Sequence, residues 1–527
     1  MTDINLSSAY LGIEFGSTRI KGVLIDDRFN PVASGAYDWE NRFENGYWTY
    51  SADDFLAGMQ GCFASLAADV LEKTGKPLDT VAAIGISGMM HGYLAFDKDD
   101  RLLVPFRTWR NTTTGEAADE LSALLNFNIP QRWSISHLYQ AILSGEDHVG
   151  DVDHITTLAG YIHYLLTGRR EVGVGEASGI FPIDSVTGTY DAAMIEKLSG
   201  KLREHGFTKD ILTVLPAVRN AGDTGAVLTE AGAKLLDPTG TLKAGIPLCP
   251  PEGDAGTGMT ATNSVRPRTG NVSAGTSIFS MLVLEKSLSA AYSEIDMVTT
   301  PDGAPVAMVH CNNCCAEIDA WAKVFGEFAA LSGHPMDKSD VYAALYSNAL
   351  KGDADCGGVV SYNFLSAEPV IGVNESVPMY FRKLGGSMNL ANFFRAQIYT
   401  AIAALKIGND LLFENEHITA DKLLGHGGLF KCEGVAQQIL ADAFDTPISV
   451  MKTAGEGGAW GIALLASYMK NKEEGETLVD YLGNKVFGGQ QGTKMDPDPA
   501  DVAGFEVFAD RYKEGIAIEL AAADHLI

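Results

Sequence analysis

The chain has 527 residues, which is too long for one ordinary hydrophobic core and predicts two domains of roughly 250 residues each. Apolar residues make up 46% and charged residues 20%, the balance of a folded chain, and no apolar run approaches the roughly 20 residues of a membrane helix. The 67 acidic residues against 39 basic ones give a formal net charge of −28, which disfavours nucleic acid and anionic membranes as partners. The first residues lack a basic region followed by an apolar run, so we expect a cytoplasmic enzyme.

The chain opens with a strand, a tight turn and a second strand. Apolar runs at 10–15 and 20–25 flank the sequence Gly16-Ser17-Thr18-Arg19, and a third strand follows a turn at 26–30. The pattern then predicts a helix at 53–73, a buried strand at 81–86, and helices at 112–126 and 158–167. This alternation of strands and helices predicts an α/β first lobe.

A second turn of the same kind lies half a chain further on. Residues 270–284 repeat an apolar strand, a turn with glycine and two hydroxyl residues, and another apolar strand. Two such copies predict two similarly folded lobes, 1–260 and 261–527, each presenting its turn to a shared cleft. For the second lobe the pattern predicts strands at 422–424 and 447–450 and helices at 316–331, 390–413, 434–444, 457–468 and 504–525.

The two turns carry groups that suit phosphate. Gly16 and Gly275 allow the backbone to approach an anion. The hydroxyl and amide donors beside them belong to Ser17, Thr18, Thr276 and Ser277. A single turn of this composition is more often only structural, but the second copy favours binding. Neither a P-loop nor a dinucleotide-binding motif occurs in the chain, so the turns are the predicted phosphate site.

Two other residues lie at positions where a cleft between the lobes could place catalytic or ligand-binding groups. Asp254 follows a short apolar strand and precedes a helix, a position that suits either a helix N-cap or a general base. His91 follows the strand at 81–86, at the strand end where open α/β sheets bind ligands. The alternatives for His91 are a hydrogen bond to a hydroxyl group of the ligand and a purely structural role.

The seven cysteines are few and odd in number, which argues against a disulfide framework. The cluster Cys311, Cys314 and Cys315 lacks a second cysteine or histidine pair at the spacing of a zinc site. Buried packing is therefore the preferred interpretation of this cluster.

These motifs resemble the FGGY carbohydrate kinase family over most of the chain. Residues 12–21 look like the first phosphate segment of that family, and 270–283 look like the second. Residues 424–440 look like its adenosine segment, with Gly427 and Gly428 at the expected glycines. The resemblance implies an α/β, two-lobe, actin-like (ribonuclease-H-like) ATPase fold with a cleft between the lobes.

Within the family, the chain is most similar to the xylulokinase (pentulose kinase) branch. The resemblance implies that Met90 and His91 contact the sugar and that Asp254 is the general base. Trp109 and Asn111 fall in a substrate-site segment of the family, and Glu14 stands at its metal-site carboxylate. The sequence departs from the branch in three places: Glu14 replaces Asp, Met89 replaces Gln, and Ala255 replaces Asn.

The implied activity is transfer of a phosphoryl group from ATP to a sugar hydroxyl. ATP with Mg2+ is expected mainly on the second lobe and the sugar mainly on the first, with Glu14 reaching the cation directly or through water. The leading substrate is a ketopentose such as D-xylulose. The missing amides at 89 and 255 remove hydrogen-bond partners for sugar hydroxyls, so other sugars remain alternative substrates. The alternatives are a kinase for another ketose or polyol and a chaperone-like ATPase of the same fold. The expected partner is a small-molecule sugar, with a homodimer as an open alternative.

Overall fold

The computed structural model of the protein describes residues 4–224, 226–451, 457–489 and 492–526. In these ranges two seven-stranded sheets, each with helices packed against it, form the framework, which confirms the α/β prediction. We call them, with their helices, the first lobe and the second lobe. No helix in the described ranges is long and apolar enough to cross a bilayer.

The elements of the first half of the chain run from a strand at Tyr10 to a helix at Ala261. The strands are β1 (Tyr10–Phe15), β2 (Arg19–Ile25), β3 (Pro31–Asp38), β4 (Arg42–Glu44), β5 (Tyr47–Thr49), β6 (Ala83–Gly88), β7 (Leu94–Phe96), β8 (His154–Thr156), β9 (Glu171–Gly173), β10 (Ile183–Asp184), β11 (Thr189–Tyr190), β12 (Ala217–Arg219), β13 (Ala226–Val227), β14 (Pro247–Leu248) and β15 (Glu252–Gly253). The helices are α1 (Ala52–Thr74), α2 (Gly115–Leu125), α3 (Ser134–Leu143), α4 (Leu158–Thr167), α5 (Val174–Ala177), α6 (Ala192–Glu204), α7 (Ile211–Val214), α8 (Glu230–Leu236) and α9 (Asp254–Ala261).

The second half begins with a strand at Thr269 and ends with a long helix. The strands are β16 (Thr269–Ala274), β17 (Ile278–Val283), β18 (Asp296–Thr299), β19 (Pro305–Cys311), β20 (Val359–Tyr362), β21 (Met379–Arg382), β22 (Lys422–His426), β23 (Ile448–Val450) and β24 (Thr493–Met495). The helices are α10 (Ala316–Leu331), α11 (Lys338–Ala349), α12 (Leu390–Asp410), α13 (Val435–Phe444), α14 (Gly457–Asn471), α15 (Leu478–Tyr481) and α16 (Pro499–Leu526).

The two sheets share one local strand order. In the first lobe β1 pairs antiparallel with β2 and parallel with β6, and β2 continues antiparallel to β3. In the second lobe β16 pairs antiparallel with β17 and parallel with β22, and β17 continues antiparallel to β19. Each turn between the first two strands therefore emerges at the same edge as the carboxyl end of a parallel neighbour.

Local sequence signals define the predicted helices well. Helix α1 begins at a capping box formed by Ser51 and Asp54 and ends at Gly75, which adopts the left-handed conformation. Helix α4 begins at the side chain of Thr157, which accepts a hydrogen bond from the backbone N–H of Gly160, and ends at Gly168. Strands β18 and β19 and helices α3 and α6 were not among the predicted elements.

Helix α14 packs against elements of the first half of the chain although it comes from the last quarter of the sequence. It contacts β1 and β6 of the first lobe and also α9. A Cβ atom on Gly12 would lie 1.9 Å from the carbonyl oxygen of Ala459, and one on Gly461 would lie 2.0 Å from that of Thr257. Only glycine permits such close backbone approach, so these contacts fix α14 against β1 and α9.

The close approach at Gly12 predicts a specific loss of stability. In a Gly12→Ala variant the new methyl group would overlap the Ala459 carbonyl, so we expect a loss of about 1 to 3 kcal/mol and a lower thermal unfolding midpoint. Gly200→Ala is the control, because Gly200 lies in α6 with no heavy atom within 4 Å of an added Cβ. There, alanine should leave the midpoint unchanged or raise it slightly. Equal midpoints for the two variants would contradict the packing of α14 described above.

Candidate active site

The two hydroxyl-bearing turns meet at one cavity between the lobes. The first turn joins β1 to β2, where the N–H of Gly16 donates to the carbonyl oxygen of Arg19 over 3.1 Å. The second joins β16 to β17, where the N–H of Gly275 donates to the carbonyl oxygen of Ser277 over 2.8 Å. Ser17 and Ser277 both line a cavity of about 320 Å³. A larger surface groove of about 880 Å³, formed by residues near the N-terminus, contains none of the predicted site residues.

The first lobe contributes most of the cavity wall. Its lining residues are Ser17, Met90, His91, Trp109, Arg132, Asp254 and Ala255. The second lobe contributes Ser277, Phe279, Val298, Met308 and His310. The predicted base, three of the four predicted substrate-site residues and one residue of each turn are therefore brought together in one place.

Asp254 is the first residue of α9 and is exposed to this cavity. Its Oδ1 accepts hydrogen bonds from the backbone N–H groups of Ala255 (3.0 Å) and Met90 (3.3 Å). Gly253 is the N-cap of α9, so the N-cap alternative for Asp254 is wrong. The depth of the cleft withdraws the carboxylate from bulk water and raises the pKa of Asp254, while the two N–H groups lower it.

His91 is held as a neutral imidazole with a defined tautomer. Its Nδ1 lies 3.2 Å from the carbonyl oxygen of Gly179, which can only accept, so Nδ1 carries the hydrogen and Nε2 is a free acceptor. Burial lowers the pKa of His91 to about 3, and the positive charge of Arg132 adds to that effect. His91 therefore offers the cavity a hydrogen-bond acceptor and no charge.

Trp109 lines the cavity, whereas Asn111 does not. The indole N–H of Trp109 donates to Oγ of Ser17 over 3.2 Å, at the edge of the cavity. Asn111 is buried outside the cavity lining, where its amide nitrogen donates to the carbonyl oxygens of Trp48 and Thr108 and its oxygen accepts from the N–H of Trp48. Asn111 thus anchors the segment that carries Trp109.

Glu14 lies near the end of β1, beside the start of α14. Its Oε2 accepts a hydrogen bond from the N–H of Ala459 over 3.2 Å, and it pairs in register with Lys21 on β2. Burial raises the pKa of Glu14 to about 7, with a further contribution from the negative charge of Asp254. The negative charge of Asp254 therefore lies close enough to disfavour ionisation of Glu14.

The predicted adenosine glycines lie directly behind the second turn. Gly427 follows β22 with φ of 100°, and a Cβ there would lie 2.4 Å from the carbonyl oxygen of Ala274. Ala274 is the last residue of β16 and immediately precedes the turn at 275–277. Thr18 and Thr276 are exposed at the tips of their turns, and Gly428 follows Gly427 on the same side of the second turn.

The cysteine cluster also supports the second turn. The N–H of Cys314 donates to the carbonyl oxygen of Thr276 over 3.0 Å, and that of Cys315 donates to Gly275 over 3.1 Å. Cys311 and Cys314 are buried free thiols, and Cys315 is half-buried. In the part of the chain that the structure describes, no group of three or more His, Cys, Asp or Glu side chains is arranged to hold a metal ion.

Sequence reasoning missed the residues that the second lobe contributes beyond its turn. Phe279 continues from the turn into β17, Val298 lies on β18, and Met308 and His310 lie on β19. The apolar run at 305–311 is a strand signal that could have identified β19. Arg132 lies in the loop between α2 and α3, where no local pattern marks it.

Comparisons with known proteins found two matching family models and a similar curated protein. The N-terminal domain model of the FGGY family of carbohydrate kinases matches residues 9–259, and the C-terminal domain model matches 270–469. A xylulose kinase of Haemophilus influenzae is 20% identical over 518 residues, which cover 95% of this chain and 98% of that protein.

Two solved structures share the fold. A ligand-bound xylulose kinase from Lactobacillus acidophilus superposes with a TM-score of 0.77 and 17% identity, covering 98% of this chain and 100% of that one. A gluconate kinase from the same organism superposes with a TM-score of 0.76 and 18% identity, covering 98% and 99%. The predicted two-lobe, actin-like fold is thereby confirmed. The chain belongs to the FGGY family of carbohydrate kinases.

Proposed function

We propose that this carbohydrate kinase transfers the γ-phosphoryl group of ATP to a hydroxyl of a ketopentose such as D-xylulose, with Asp254 as general base. The observation that carries the proposal is the single cavity lined by Ser17, Ser277 and Asp254. Phosphoryl transfer requires donors for the phosphate oxygens and a base aligned with the attacking hydroxyl, and this cavity offers both from opposite lobes.

Asp254 suits the role of base for two reasons. Its carboxylate is open to the cavity, and its raised pKa increases its affinity for a proton relative to an ordinary aspartate. The N–H groups of Met90 and Ala255 both bond to Oδ1, which leaves Oδ2 as the proposed acceptor of the sugar proton. The proton moves from the sugar hydroxyl to this oxygen as the hydroxyl oxygen attacks the γ-phosphorus, and the bond from that phosphorus to the bridging oxygen breaks so that ADP leaves.

The nucleotide would be held by backbone and hydroxyl groups and not by a basic patch. We propose that the turns at 16–18 and 275–277 bind the phosphates and that Gly427 and Gly428 face the adenosine. The contact between Gly427 and Ala274 supports this, since it joins the adenosine segment to the second phosphate turn. The proposed division is 1–260 for sugar and the first turn and 261–527 for the second turn and adenosine.

Glu14 fits a Mg2+ ion associated with ATP. Its pKa is raised by burial and by the charge of Asp254. A divalent cation would stabilise the ionised carboxylate and so offset both effects. A bound Mg2+ would supply charge neutralisation for the phosphate oxygens. Glu14 would bind it directly or through water, because Mg2+ commonly keeps several waters.

The pocket suits a sugar with hydroxyls near both Asp254 and His91. Nε2 of His91 accepts from a hydroxyl, while Met90, Phe279 and Val298 provide apolar surface for the C–H face. Met89 is buried in the core of the first lobe and does not line the cavity, so its departure from Gln removes no cavity contact. Ala255 does line the cavity, and its lack of an amide keeps another ketose or a polyol as the alternative substrate.

A panel of substrates tests the proposed function directly. We expect ADP release from ATP and Mg2+ to be stimulated by ketopentoses, with D-xylulose among the best, in a coupled assay that also includes hexuloses, glycerol and aldoses. Product analysis by phosphorus NMR would establish the hydroxyl that is phosphorylated. ADP release that no sugar stimulates would favour the chaperone-like ATPase instead.

Replacement of the proposed base is expected to lower the rate of phosphoryl transfer without weakening ATP binding. Asp254→Asn should lower kcat by about 100- to 10,000-fold, while ATP binding measured at equilibrium stays close to that of the wild type. Asp191→Asn is the matched control, since Asp191 only caps α6 outside the cavity and asparagine caps equally well. Near-normal turnover in Asp254→Asn would remove Asp254 from the base role.

The raised pKa of Glu14 predicts a pH-dependent stability. The folded pKa of about 7 lies above the ordinary value of 4.5, so Glu14 releases its proton more readily in the unfolded state, and the free energy of unfolding falls as pH rises from about 4.5 to 7. With EDTA present, Glu14→Gln should be more stable than the wild type at pH 8, by on the order of 2 kcal/mol. The difference in thermal unfolding midpoint between Glu14→Gln and the wild type should become smaller as pH falls towards 5. A gap of constant size across this range would contradict the assignment.

A further inference from the structure

Two neighbouring thiols lie behind the second turn and have no part in the proposed reaction. The Sγ atoms of Cys314 and Cys315 are 3.6 Å apart. Cys314 is buried, with 1% of its surface exposed, whereas Cys315 is half-buried at the start of α10. A thiol that solvent reaches therefore contacts a thiol that solvent does not reach.

The backbone of this pair holds the second turn in place. The N–H of Cys315 donates to the carbonyl oxygen of Gly275 over 3.1 Å, and the N–H of Cys314 donates to that of Thr276 over 3.0 Å. Reorientation of either N–H group would therefore move the turn that we propose as a phosphate site.

The peptide bond between the two cysteines is held from both sides. Its N–H is that of Cys315, which donates to Gly275. Its carbonyl oxygen is that of Cys314, which accepts a hydrogen bond from the side-chain amide of Asn363 over 3.0 Å. A twist of this peptide bond would therefore break or weaken hydrogen bonds on both of its sides.

The chain before the pair is anchored as well. The carboxylate of Glu368, which is fully buried, accepts hydrogen bonds from the N–H groups of Asn312 (2.9 Å) and Asn313 (3.2 Å). This segment cannot shift without leaving buried polar groups unpaired, which is costly. A change in the geometry of the cysteine pair is therefore passed on to the second turn.

A disulfide between neighbouring residues would cause such a change. The Cα atoms of adjacent residues lie about 3.8 Å apart across a trans peptide, whereas those joined by a disulfide usually lie about 4.4 to 6.8 Å apart. The ring can therefore close only if the backbone between the two cysteines twists, and the resulting strain makes the disulfide easy to reduce again. The twist would turn the N–H of Cys315 away from Gly275.

We infer that Cys314 and Cys315 form a reversible oxidation site for hydrogen peroxide, and that the disulfide between them weakens ATP binding at the second turn. The effect on ATP rests on the proposed function of that turn, whereas formation of the disulfide does not.

The chemistry takes two steps and consumes one molecule of hydrogen peroxide. The sulfur of Cys315, the accessible thiol, attacks one peroxide oxygen, the O–O bond breaks, and a sulfenic acid forms while the thiol proton leaves with the other oxygen as water. The sulfur of Cys314 then attacks that of Cys315, the S–O bond breaks, and the hydroxyl leaves as water with the proton of Cys314. The contact with Cys315 and burial raise the pKa of Cys314, so Cys314 stays a thiol and reacts second.

The test treats the reduced, full-length protein with hydrogen peroxide and compares the wild type with Cys315→Ser and Cys432→Ser. Cys432 is the matched control, because it is the other half-buried cysteine of the chain. Mass spectrometry under non-reducing conditions detects the disulfide. Equilibrium titration gives Kd for ATP with Mg2+ before oxidation, after it, and after treatment with dithiothreitol.

We expect the oxidised wild type to lose the mass of two hydrogen atoms and its Kd for ATP to rise by roughly 10-fold, the effect of losing one or two hydrogen bonds that hold the turn. Dithiothreitol should reverse both changes. Because dithiothreitol does not reduce methionine sulfoxide, this reversal excludes oxidation of Met90 or Met308 as the cause. Cys432→Ser should respond as the wild type does, whereas Cys315→Ser should keep its Kd.

Three results would overturn the inference: a wild type that forms no disulfide, a disulfide that leaves Kd for ATP unchanged, or a Cys315→Ser variant that responds as the wild type does. The last result would assign the effect to another pair, such as Cys311 and Cys314. If Cys315→Ser fails to fold, fragmentation of the oxidised wild-type peptide locates the disulfide and decides the same point. A reduced wild type that binds ATP but phosphorylates no sugar would defeat the proposed function and leave this inference standing.

Discussion

The candidate site depends on the parallel pairing of β1 and β15 with the central strand β6. Parallel strands end at the same edge of a sheet, so the residues that follow them converge. The first turn follows β1, Met90 and His91 follow β6, and Asp254 follows β15. Backbone and acidic groups separated by more than 150 residues in sequence therefore meet within hydrogen-bonding distance, as Met90 and Asp254 do.

This convergence concentrates carboxyl groups in a region with little water. Burial raises the pKa of Glu252 to about 8 and also raises that of Glu176, whose N–H donates to the Glu252 carboxylate over 2.9 Å. With Asp254 and Glu14, these are four carboxyl groups whose pKa is raised by burial. Such an arrangement lowers the stability of the fold and is typical of sites selected for chemistry.

The second lobe completes the site and is tied to the first by polar contacts around it. The hydroxyl of Thr299 donates to the carbonyl oxygen of Val174 over 3.1 Å, and the N–H of Thr299 donates to Oγ of Ser178 over 3.0 Å. Asp296, which pairs with Arg132 of the first lobe, lies on the same strand as Thr299, β18. Strand β18, which lines the cavity with Val298, therefore also joins the two lobes.

The amino-acid sequence by itself determined the elements whose signals are local. The two glycine-and-hydroxyl turns, the capped helices α1 and α4 and the acidic residue at 254 were all identified from short patterns, because turn chemistry and helix caps act over a few residues. Which side chains face the cavity and which have a structural role was decided only by the tertiary structure. Asn111 anchors a loop, Met89 lies in the core, and Arg132 faces the cavity. Each of these positions depends on contacts with residues far away in the sequence, which no local pattern predicts.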